Sequence, residues 1–124
     1  MPDPEQLDAL IDACESAARD ALRSVVYFTR DGYEQLYLRD YLSADADIQS
    51  FVENERIGFD RRPTHAGSEL GRYEYTIHRF EHGYLIRVIG TDQGVFVTTN
   101  QMPIEQYDAV AEAIRETLIS MESP

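Results

Sequence analysis

The chain has 124 residues, of which 23 are Asp or Glu, 11 are Arg and none is Lys, for a formal charge of −12. That balance argues against nucleic-acid binding, which needs clustered positive charge, and no apolar run approaches the ~20 residues needed to span a bilayer. Acid excess with lost Lys reads as adaptation to a cytosol at molar salt, where a Debye length of about 3 Å silences self-repulsion that dilute buffer would leave in place.

Length allows one domain, 1–124. The opening residues Met1-Pro2-Asp3-Pro4-Glu5 are acidic, which argues against an ordinary secretory leader. The lone Cys14 cannot close an internal disulfide. A cytoplasmic location is the expectation.

In chain order, Asp3 and Pro4 predict a capped helix start. Leu7, Leu10, Ile11, Cys14, Ala17, Ala18, Ala21 and Leu22 then recur at helical spacing. The period changes to two at Val25–Thr29, a strand by composition. Asp31-Gly32 predicts a two-residue hairpin turn with positive φ at both positions. The return strand, Glu34–Leu42, alternates: Leu36, Leu38 and Leu42 are expected on one face, Tyr33, Tyr37, Arg39 and Tyr41 on the other.

Ser43 to Asp47 predict the start of a short helix with Ile48, Phe51 and Val52 on its apolar side, ending near Gly58. Residues 58–70 show no period and predict a long loop. Three strands follow, Arg72–Phe80, Tyr84–Gly90 and Val95–Thr99, joined by turns at Glu81-His82-Gly83 and Asp92-Gln93-Gly94. Pro103 opens a last helix with Ile104, Tyr107, Val110, Ala111, Ile114, Leu118 and Met121 on one stripe.

The expected fold is α+β: a five-stranded antiparallel sheet with three helices, in the order α-β-β-α-β-β-β-α. This order resembles the Roadblock/LC7 (profilin-like) architecture over nearly the whole chain. The resemblance implies that the first and last helices cover one sheet face and the middle helix the other. It also implies contact with a small GTPase or with a motility or signalling complex. The stretch from Tyr27-Phe28-Thr29 through Arg39-Asp40 looks like the opening hairpin of small uncharacterised haloarchaeal proteins, which brings no catalytic residue with it.

Patterns for chemistry fail one by one. Cys14 lies on an apolar stripe, where a small buried hydrophobe is the simpler reading than a nucleophile. No Gly-x-Ser-x-Gly elbow is present. His78 and His82, four apart on extended chain, lie ~13 Å apart, too far to share a metal. Asp45-Ala46-Asp47 begins like a calcium loop, but Ser50 and Arg56 stand where that loop needs Gly and Glu. No phosphate-cradling motif exists, and 23 acids offer too many carboxylate pairs for any one to carry information. No metal and no cofactor is expected, and the chain reads as a non-enzyme.

Two surfaces remain. Tyr33, Tyr37, Arg39 and Tyr41, extended by Tyr73 and Tyr75, form a candidate interface, because Tyr and Arg bury area and keep a polar tip. Arg56, Arg61, Arg62, His65 and Arg72 form a basic island around the loop that could hold a small anion. The bland alternatives are burial of the tyrosines under the middle helix and pairing of Arg56, Arg61 and Arg62 with Glu53, Glu55 and Asp60. The expected function is a halophilic interaction or regulatory module that forms a homodimer, with an anion-sensing domain as the alternative.

Overall fold

The computed structural model describes residues 2–39, 48–61, 69–71, 73–90 and 92–122. Helix α1 runs Pro4–Ala18 and begins with a reciprocal cap. The Asp3 carboxylate accepts from the Gln6 amide at 2.9 Å, and the Gln6 side chain accepts from the Asp3 amide at 3.1 Å. The helix stops at Arg19, a non-glycine residue at φ 54° and ψ −130°. Gln106 Nε2 donates to the carbonyls of Ala17 and Ala18 at 3.2 and 3.0 Å, satisfying groups that a helix end leaves orphaned.

A single 3₁₀ turn, Arg19–Ala21, leads into strand β1, Leu22–Thr29. Leu22 therefore opens a strand instead of ending the helical stripe. Its burial in the same cluster as Leu10 and Cys14 explains the misreading, since apolar spacing alone does not separate the two.

Strand β2 spans Tyr33–Leu38. The hairpin is present, but its turn is not the one expected. Thr29 donates to the Gly32 carbonyl at 2.9 Å, so Arg30-Asp31 are the turn residues, and neither Asp31 nor Gly32 has positive φ. The Thr29 hydroxyl takes the Gly32 amide at 3.1 Å and fixes the turn in place of a primed geometry. Residues 40–42 and the expected helix start at 43–47 lie outside the described residues.

Helix α2, Ile48–Arg61, continues past Gly58. One interior Gly costs only about 1 kcal/mol. The turn beyond it seats Phe59, buried, edge-on against Phe28 at 5.5 Å between centroids. Strand β3, Thr76–Phe80, starts later than Arg72, because residues 73–75 leave the ladder and are held by side-chain bonds. Strands β4, Gly83–Ile89, and β5, Gln93–Thr99, follow, then helix α3, Ile104–Glu122.

The strands lie in the order β2-β1-β5-β4-β3, with every pairing antiparallel. Helices α1 and α3 cover one face through Leu10, Cys14, Val25, Ile86, Val97, Val110 and Ile114. Helix α2 covers the other through Val52 and Phe59 against Val26, Phe28, Leu85 and Phe96. Covered on both faces, β1 and β5 carry unbroken apolar runs at their centres, Val25-Val26-Tyr27-Phe28 and Val95-Phe96-Val97. Gly94 lies opposite Phe28, and a methyl there would come within 2.5 Å of the Phe28 ring.

Candidate interaction surface

The inner face of α2 presents Val52, Glu55 and Phe59, three and four residues apart, to the sheet. Glu55 is thus a carboxylate with only 1% of its surface exposed. An isolated charge there would be prohibitively costly. Arg87, from the middle of β4, brings NH1 to 3.2 Å from Glu55 Oε1 and 3.4 Å from the Glu55 carbonyl. His78 Nε2, from β3, lies 3.3 Å from the same Oε1. Asn54 Nδ2 donates to Oε2 at 3.0 Å. Arg87 NH2 in turn donates to the hydroxyls of Thr76 at 2.8 Å and Tyr73 at 3.1 Å, and those two hydroxyls bond to each other.

This network was legible only in part. Arg87 interrupts an apolar run, Leu85-Ile86-Arg87-Val88-Ile89, and Glu55 sits at helical spacing between Val52 and Phe59. An acid and a base on apolar stripes are a pairing signal. Among the described residues, Glu55 pairs with Arg87 and not with its neighbour Arg56. Arg56 instead donates through Nε to the Thr29 carbonyl at 2.8 Å. His78, read above only for its distance from His82, is half-buried against Glu55.

The tyrosine face is not continuous. Val25 pairs with Tyr37 but Val26 pairs with Gln35, so Leu36 is an extra residue in β2. Such a bulge reverses the alternation. Tyr33, opposite Phe28, lies on the α2 face and is 46% exposed. Tyr37, opposite Val25, packs with Leu36 against the α1–α3 core. Arg39 Nε donates to the Leu22 carbonyl at 2.7 Å. Tyr73 belongs to the Arg87 network. The Tyr75 hydroxyl donates to Asp108 Oδ1 on α3 at 2.6 Å. That bond, with burial and nearby acids, pushes the phenol up to about 12. Tyr41, Arg62, His65, Arg72 and the Arg61 side chain lie outside the described residues.

Cys14 is fully buried, and burial, then Glu15, pushes its thiol up to about 12, so it holds its proton. Among the described residues, no three His, Cys, Asp or Glu side chains are placed to hold a metal, and no helix is long and apolar enough to cross a membrane.

What the α2–β3 corner does expose is apolar. Phe51 of α2 and Phe80 of β3 meet edge-on at 5.9 Å, and they are 37% and 47% exposed. Ile77, on the opposite face of β3, is also exposed. Among the described residues strand β3 is an edge of the sheet, and its sequence Thr-Ile-His-Arg-Phe contains no acid.

Solved structures share this architecture. Myxococcus xanthus MglB aligns over 100% of this chain and 97% of its own, with 13% identity and a TM-score of 0.63. The gliding protein MglB from Thermus thermophilus aligns over 95% and 94%, with 13% identity and a TM-score of 0.61. A structure described as MglB with tetrameric arrangement aligns over 96% and 94%, again with 13% identity and a TM-score of 0.61. At this identity the likeness is one of fold, and it is the Roadblock/LC7-like fold that the element order implied. No curated protein matches the sequence. Residues 8–119 match the family described as Domain of unknown function (DUF7522), and the chain belongs to that family.

Proposed function

We propose that this protein is a small non-enzymatic regulatory module that works as a homodimer in a high-salt cytoplasm and docks a protein partner. The observation that carries the reading is the β3 edge: an acid-free strand flanked by the exposed Phe51–Phe80 pair in a chain of charge −12. An open strand edge is a template for another strand. A second copy is the occupant that fits, because two acidic molecules can approach where neither carries a carboxylate on the strand. The other edge, β2, carries Glu34 and its Leu36 bulge breaks the ladder.

The fold shared with MglB supports a regulatory role, and the Roadblock resemblance points to a small GTPase or a signalling complex as the partner class. The acid excess and missing Lys support the saline setting. Light scattering in roughly 2 M KCl tests the dimer. The wild type is expected at twice the monomer mass, and Phe80→Asp as a folded monomer. A Phe80→Asp protein that stays dimeric would move the contact elsewhere, with Tyr33 on β2 the next site to vary.

A further inference from the structure

We propose that self-association through β3 is proton-sensitive, with His78 of each copy forming the sensor on the symmetry axis. The inference rests on the homodimer reading above and adds its regulation. Two antiparallel edges related by a twofold axis keep each face of the sheet on its own side. Every residue of one strand then lands opposite a residue of the same face in the other. The five residues of Thr76–Phe80 overlap fully only when the middle one faces itself. That residue is His78, so His78 of one copy lies opposite His78 of the second copy, with Cβ atoms about 5 Å apart.

The charge around each imidazole is already balanced. Glu55 reaches His78 Nε2 from α2, and Arg87 reaches the same carboxylate oxygen from β4. The Tyr73 hydroxyl takes Arg87 NH2. Leu85, opposite on β4, brings no charge, and Thr76 and Phe80 flank His78 on its own strand. Glu55 and Arg87 sum to zero, so a neutral His78 leaves each half-site neutral and a protonated one leaves it at +1. Two such half-sites meet at the axis, and like charges directly opposite on paired strands are destabilising. Histidine changes charge between pH 5 and 8. Association therefore favours the neutral imidazole, and acidification weakens it. Salt screens the carboxylates on the outer surface, but it screens a charge pair buried inside an interface much less.

Sedimentation equilibrium of the full chain in roughly 2 M KCl, at about pH 8 and about pH 5.5, tests the sensor. For the wild type the dimer dissociation constant is expected to rise about two- to fivefold on acidification. It is expected to stay constant in His78→Gln, and the wild-type response should persist in His82→Gln. His78→Arg, which fixes a positive charge at the axis, is expected to be monomeric at both pH values with its circular dichroism intact. A wild-type dimer indifferent to pH, a response that survives in His78→Gln, or a dimeric His78→Arg each overturns the sensor and leaves the dimer standing. A wild type that is monomeric at both pH values overturns the dimer itself.

Discussion

On the α1–α3 side of the sheet, Leu10, Cys14, Val97, Val110 and Ile114 meet with no buried charge among the described residues, whereas on the α2 side Val52 and Phe59 share their interface with Glu55 and Arg87. The first face is held by apolar burial, which molar salt strengthens when the salt is of the excluded kind. The second has fewer apolar residues and depends on a pair of opposite charges withdrawn from water. Such a pair adds little net stability over apolar side chains of the same volume, but it fails badly when one partner is removed. It does fix position: Glu55 accepts from Arg87 on β4, and His78 on β3 contacts the same oxygen. Helix α2 is thereby indexed to the strand edge that we assign to self-association.

The contrast can be broken at the pair. Arg87→Leu leaves the buried Glu55 carboxylate with His78 and Asn54 but without its guanidinium, and is expected to cost about 3 kcal/mol in chemical denaturation. The double variant Glu55→Leu, Arg87→Leu is expected to recover most of that loss, yet to weaken the dimer because α2 is no longer indexed. Equal losses in the single and double variants would show that packing around Arg87, not charge pairing, holds this face.

A smaller effect of opposite sign sharpens the apolar side. Arg19 occupies a positive-φ conformation at the end of α1, where a β-carbon is strained and Gly is not. Arg19→Gly is expected to raise stability by about 1 kcal/mol, read as a higher melting temperature at fixed high salt. The smallest effect belongs to Tyr75. Its phenol is raised above the usual value because it donates to Asp108. The bond stabilises the fold below about pH 10 and is lost as pH rises toward about 12. Tyr75→Phe is expected to cost under about 1 kcal/mol at neutral pH. It should also lose the part of the alkaline stability decline that falls in that window.

Much of the fold was legible because its signals were local. Asp3 with Pro4 marked the first helix start, and the composition of Val95–Thr99 marked a strand. Errors arose where tertiary contact overrode local preference. Phe59 drew the helix through Gly58, and Leu22 satisfied a helical stripe and a strand core equally well. The candidate site was less legible for a different reason. An extra residue at Leu36 leaves no mark in the alternation of β2, yet it sends Tyr33 and Tyr37 to opposite faces. Glu55 and Arg87 lie thirty-two positions apart, and nothing short-range announces a bond across that separation. His78, four residues from His82, invited a question about metals when its real neighbour was a carboxylate on another element.

The Gln106 side chain closes the last carbonyls of α1 from a distance of eighty-eight and eighty-nine residues. Helix α1 thus emerges well before α3, the element that packs beside it. Until β5 and α3 leave the ribosome, β1 lacks one of its two neighbours and the α1 stripe lacks its lid. Contacts this distant in sequence slow folding and leave an oily nascent surface open to wrong partners. A dense coat of carboxylates on the unfinished chain is well suited to keep such intermediates apart, giving the acid excess a role before the fold exists.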